Sequence, residues 1–254
     1  MPSPETISSF LMVVVRCLSF FAIGPLFTHQ KVPAQVQAIA AVATAVVLYP
    51  ALPLPEATPP ATLLGFSLSL GKEVLLGGLL GLVAGVVFAG ISFAGELVGL
   101  QMGFAIANVF DPVGSEQVPL LGRMQELMAV FLFLLADGHH IFLRGLSISL
   151  ERVPPGGFVD LAALPAYLLP MGASIFFIAL QVGAPILAAL FLTDAALGFV
   201  ARAVPQMNIF LVGIPVKIFV GMLFLTIATP LLASLLRIYS NQMETRLLAI
   251  LGGM

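Results

Sequence analysis

The 254-residue chain is 60% hydrophobic and only 9% charged, with a mean hydropathy of +1.12. A soluble domain carries about 25% charged residues, so this chain cannot cover a globule with polar surface and reads as an integral membrane or membrane-assembled protein. Its net charge of −2, with ten Lys and Arg scattered singly, excludes a nucleic-acid footprint.

The opening, MPSPETISSFLMVVV, carries Glu5 where a signal peptide has a basic region, and no small-residue cleavage site follows at the usual distance. The first apolar segment is therefore expected to stay. Runs 6–15 and 17–30 are interrupted only by Arg16, and the single cysteine, Cys17, reads as a small buried hydrophobe. Prolines at 33, 50, 53 and 55 confine the next helix to about Ala34–Tyr49, whereas residues 74–95 form the first clear spanning helix. Residues 127–136 are apolar but short, and the pattern resumes after DGHH to Leu150. Pro165, Pro170 and Pro185 divide the uncharged run 161–193, and Pro205, Pro215 and Pro230 punctuate 203–236, whose one charge is Lys217. With no fixed-period repeat, this is one all-α unit of kinked, Pro- and Gly-broken helices.

Lys and Arg are spread evenly over the segment ends, so the positive-inside rule finds little asymmetry to act on. Partner subunits, more than lipid, then decide how the helices sit. Two glycine ladders support that reading: Gly77, Gly81, Gly85 and Ala89, then Gly95, Gly99 and Gly103. Steps of four drift only about 40° on a helix, so each ladder is one stripe where a neighbouring backbone can approach. Glycine costs roughly 1 kcal/mol against alanine within a helix, which a tight neighbour must offset.

Charges interrupt the apolar segments at Arg16, Lys72, Glu73, Glu96, Arg123, Glu126, Asp137, Asp194 and Lys217. One facing mid-bilayer alone costs about 2.5–3.5 kcal/mol on insertion scales, so these residues should pair, line water or lie near an interface. Two roles stay open for them: holding an assembly together, or relaying protons. Asp111-Pro112 disfavours helix at Asp111, which places the end of the second-ladder helix near Phe110. The irregular stretch behind it, DPVGSEQVP, is either a gate element, since irregular backbone at membrane depth needs protein or a water-filled cavity around it, or an ordinary polar connector. Asp137, His139 and His140 offer metal-binding groups, but adjacent histidines point about 100° apart on a helix and no second cluster exists. No metal, cofactor or catalytic residue is expected.

The motifs GELVGLQMG followed by FDP, VPLLGRMQELMAVFLFLLADGHH, VPQMNIFLVGIPVKIFVG and the N-terminal VVVRCLSFFAIGPLF…VP occur in this order over essentially the whole chain. Together they resemble the FliR/SctT family of type III secretion export-gate proteins, in its flagellar branch. The resemblance implies a single export-gate unit, FliP-like over about 1–160 and FliQ-like over about 161–254. It also implies assembly with FliP and FliQ at one copy per gate, FlhB at the cytoplasmic side, unfolded proteins as cargo and contact with membrane lipid. The place would be the bacterial inner membrane, in the flagellar basal body. Family members carry a pore plug that matches about 106–121 here: Ile106, Asn108, Val109, Phe110, Asp111, Pro112, Val113 and Gly114, with Phe110 as an apolar stopper. The glycines would then face neighbouring gate subunits. Alternatives are the homologous gate of a virulence injectisome, a secondary transporter, whose paired inverted repeats are not found, and an intramembrane hydrolase using His139 or His140.

Overall fold

A computed structural model describes residues 3–25, 32–52, 62–104, 120–157 and 164–252. These form seven α-helices and no strand: α1 (Pro4–Ile23), α2 (Ala34–Ala51), α3 (Leu63–Met102), α4 (Leu120–Leu135), α5 (Gly138–Arg152), α6 (Leu164–Ala203) and α7 (Ile209–Gly252). Five are long and apolar enough to cross a membrane, and the bent pair α4–α5 adds a sixth if it counts as one span. The fold is all-α, as the sequence leads one to expect. Its helix boundaries differ from the sequence reading in instructive ways.

Local signals set the start of α1. The Ser3 side chain caps it by accepting from the Thr6 amide at 3.1 Å, Pro4 occupies the first turn and Glu5 lies at the positive end of the helix dipole. Its buried face is Ser8, Ser9, Met12, Val13, Arg16, Cys17, Ser19 and Phe20, a helical stripe that contains a full positive charge. Cys17 is fully buried there, as expected. α2 packs on α1. It buries only Ala41 and Ala45, and Tyr49 reaches across to donate to the Thr6 carbonyl and to meet Phe10 edge to face. Pro50 falls in the last turn, and the helix stops one residue beyond it.

Proline does not divide the later helices. α6 is continuous through Pro170 and Pro185, and α7 through Pro215 and Pro230. Each proline removes one backbone hydrogen bond, a loss that neighbouring helices and side chains make tolerable in membrane proteins. The sharp break lies instead between α4 and α5, which meet at 76°. Asp137 turns the corner with φ of 56°, the one non-glycine residue with positive φ among those described.

The chain separates into two compact units. The first comprises residues 1–86, 134–172 and 238–254, the second 87–133 and 173–237. In the first, α1 packs on α2, and Phe20 stacks edge to face on Phe142 of α5. The core of the second is Val98, Met102, Leu121, Ile186, Leu190 and Leu225. Each unit leaves large apolar side chains uncovered: Val47 and Leu63 (83% exposed) in the first, Phe177 and Phe219 in the second.

Candidate functional site

Residues 105–119 carry most of the expected gate, and Ile106, Asn108, Val109, Phe110, Asp111, Pro112, Val113 and Gly114 all lie outside the described residues. Both of the segment's flanks are described. α3 ends at Met102 rather than near Phe110, because Gly103 adopts φ of 93°. The Gly103 amide donates to Leu100 O and the Phe104 amide to Gly99 O, each at 3.1 Å, which is the Schellman pattern that satisfies the last carbonyls of a helix. The sequence reading took Gly103 for a rung of the ladder; its work is to end the helix, which a side chain at that φ would oppose. On the far side α4 starts at Leu120. Met102 before the segment and Leu121 after it belong to the same apolar cluster.

The other ladder glycines meet helices of this same chain. A Cβ on Gly77 would strike the Ser19 side chain and the Arg16 carbonyl, and one on Gly81 would lie 3.0 Å from Phe20 O. One on Gly95 would lie 2.6 Å from the Gly122 Cα, while Gly99 makes ordinary contact with Leu121. Gly85 differs: nothing lies within 4 Å of its missing Cβ. Close approaches that escaped the sequence reading include Gly90 against Ile178, Gly122 against the Ser92 carbonyl, and Gly221 against Met102. They stand alone or outside the four-residue ladders.

Charges singled out in the sequence form two nodes. In the first unit Arg16 is fully buried and its Nε donates to Glu73 Oε2 at 2.6 Å. Arg16 Nη1 donates to both the carbonyl (2.9 Å) and the hydroxyl (3.0 Å) of Ser149, in the last turn of α5, where a cation suits the helix dipole. Glu73 Oε1 accepts from the Gly156 amide at 2.9 Å. One ion pair thus ties α1, α3, α5 and the turn after α5. In the second unit Lys217 contacts Asp194 Oδ1 at 2.6 Å, and Gln101 Nε2 donates to Asp194 Oδ2 at 2.9 Å. This node is half-exposed, with 19% of the Lys217 side chain and 37% of Asp194 accessible. Lys72 and Glu96 are half-buried, Arg123 is exposed and Glu126 buried. Ser149 and Gly156 were not foreseen, and a hydroxyl and a backbone amide leave no charge signature in a sequence.

At the α4–α5 corner the donor atoms of Asp137, His139 and His140 lie within 4.8 Å of one another, on an exposed or half-exposed turn. Their convergence was not anticipated from the 100° angle between adjacent histidines, because the αL residue Asp137 folds back toward the first turn of α5.

The sequence profile of the bacterial export proteins, family 1, matches residues 7–243. A protein called flagellar biosynthetic protein FliR from Bacillus subtilis (strain 168) is 38% identical, over 96% of this chain and 96% of its own. Proteins of the same name from Pectobacterium carotovorum subsp. carotovorum (33% identical, 89% of this chain and 86% of theirs) and Escherichia coli K12 (29%, 87% and 84%) are similar too. With a family match across nearly its whole length and a relative 38% identical to it, the chain belongs to the bacterial export proteins, family 1.

Proposed function

We propose that this chain is a core subunit of the flagellar type III protein export gate. Family membership over residues 7–243 carries the reading, and the flagellar name shared by the relatives favours the flagellar over the injectisome branch. The protein is a membrane-embedded export component. In our reading it stands in the bacterial inner membrane at the flagellar basal body, one copy joining FliP and FliQ in the gate, with FlhB at the cytoplasmic side. Residues 1–160 take the FliP-like part and 161–254 the FliQ-like part.

The gate itself performs no covalent chemistry. Its task is to pass unfolded flagellar proteins while holding back ions, and an apolar constriction achieves that by dewetting. The segment 106–121 supplies the plug, with Phe110 as its stopper. Its flanks at Met102 and Leu121 belong to one core cluster, which supports this role. Gly85, whose missing Cβ faces open space, and the uncovered side chains of α6 and α7 are the surfaces offered to partner subunits.

Native mass spectrometry of the tagged chain, expressed with FliP and FliQ, should find one copy in a large complex with both. A stable monomer or homodimer indifferent to those partners would overturn the reading. Deleting residues 108–118 should leave the complex assembled and the membrane leaky to small ions; a tight membrane would remove the plug assignment while leaving the gate.

A further inference from the structure

At the α4–α5 corner three side chains with ligating atoms converge, and the fold makes little use of them. The donor atoms of Asp137, His139 and His140 lie within 4.8 Å of one another, and the two imidazole rings stand 4.2 Å apart, centroid to centroid, at a tilt of 36°. Asp137 holds the N-cap position of α5, yet its side chain makes no capping hydrogen bond. Its Oδ1 lies 3.8 Å from His140 Nδ1, too far for a hydrogen bond. His139 Nδ1 is buried with no hydrogen-bond partner among the described residues.

The base of this cluster is fixed and its rim is free. Gly138 and Phe142, on either side of the histidines, are buried, and Phe142 packs edge to face on Phe20 of α1. Asp137 keeps a left-handed backbone, which costs a residue with a side chain, and that turn sets its carboxylate beside the first turn of α5. The Asp137 and His140 side chains are 78% and 69% exposed, so both can swing. Tetrahedral ligands around zinc stand about 3.4 Å apart, so side-chain rotation alone can close the cluster. The donor set then selects the ion. Two imidazoles and a carboxylate make the three-ligand set of zinc sites that keep a fourth position open. Magnesium and calcium ask for six or more oxygens. The positive end of the α5 dipole opposes a cation, and the Asp137 charge counters it.

We propose that Asp137, His139 and His140 bind one divalent transition-metal ion of the zinc type, with the fourth position left to water or a neighbouring group. The ion ties the residue at the bend to the first turn of α5 and so braces the 76° corner. The expectation of no metal took the two histidines as points on a regular helix, and the αL turn at Asp137 removes that premise. The site does not depend on any role in export.

The test uses the full chain in its purified membrane assembly, stripped by a chelator and titrated with zinc chloride against a chromophoric competitor. Wild type should take up one more zinc ion per copy of this chain than His140→Ala. Both His140→Ala and Asp137→Gly should weaken binding by at least about tenfold, the loss seen when even a group behind the ligands is removed. Asp137→Gly separates ligation from folding, because glycine adopts positive φ without steric cost. Its metal-free assembly should melt no lower than wild type while its zinc binding falls. Cobalt(II) gives a second readout: visible absorption bands of a low-coordinate site in wild type, lost in His140→Ala. Zinc uptake and affinity equal in wild type and both variants overturn the site, and so does a wild type that takes up none.

Discussion

The two units solve the same problem, a charge inside an apolar chain, in opposite ways. In the first, Arg16 and Glu73 are 0% and 1% exposed, and the Ser149 carbonyl and hydroxyl and the Gly156 amide add hydrogen bonds to the pair, while Arg16 Nη2 stays buried without a partner among the described residues. In the second, Lys217 and Asp194 remain partly open, with Gln101 as the single further partner among the described residues. The lesson concerns what each pair is for. A sealed, multiply bonded pair specifies how helices of one chain assemble. A half-open pair contributes little within the chain and keeps polar capacity for water or a neighbour.

The comparison breaks most visibly at Arg16. Replacing it with alanine leaves Glu73 buried and uncompensated, a loss of about 3–5 kcal/mol, and the chain should all but vanish from membranes by quantitative immunoblot. Pairing Arg16→Met with Glu73→Leu should restore most of it, since apolar replacement of a whole buried pair is often neutral. Normal accumulation of Arg16→Ala would show that the sealed pair specifies nothing.

Next in size is Gly95→Ala, in the second unit. Its new Cβ would lie 2.6 Å from the Gly122 Cα and 2.7 Å from the Leu121 carbonyl, backbone atoms that cannot rotate away. Overpacking of this kind costs about 1–3 kcal/mol, read as a lower melting temperature of the purified assembly. A melting temperature unchanged from wild type would mean that polar contacts, not close backbone packing, hold the second unit.

Gly103→Ala should follow, at about 1–2 kcal/mol for a side chain at φ of 93°, while Gly103→Asn should lose less because asparagine tolerates that region. Equal losses for the two would detach the Schellman turn from stability. Smallest is Lys217→Met, worth about 0–1 kcal/mol for a half-open pair, with chain accumulation close to wild type. A collapse as deep as that of Arg16→Ala would erase the distinction between the units.

Composition alone made the all-α membrane fold legible, and the spacing of the ladders marked the lines of close approach at Gly77, Gly81 and Gly95. The object approached was not legible, because a stripe of small residues is equally suited to a helix of its own chain and to a foreign one. Arg16 stood out as a charge needing a partner, yet Glu73 is 57 residues away and Ser149 is 133 away. Asp194 lies 93 residues from Gln101. Such pairings are products of tertiary packing and leave no local spacing to read. The prolines misled for the same reason: the rule that they end helices describes an isolated helix in water, not one supported on its sides. At the end of α3 the signal was present in Gly103 but was assigned to the wrong pattern.

The length of α3 has a consequence of its own. Forty residues make a rod of about 60 Å, twice the roughly 30 Å of hydrocarbon in a bilayer. To hide entirely in lipid it would have to lean about 60° from the membrane normal, beyond the 0–40° seen for spanning helices. Part of it must therefore overhang into water, carrying side chains such as Leu63, Leu64 and Leu68 or Leu100 at its two ends, all more than 60% exposed. Lipid cannot shelter an overhang, so protein has to. A chain built with greasy ends longer than its membrane is built to be finished by others.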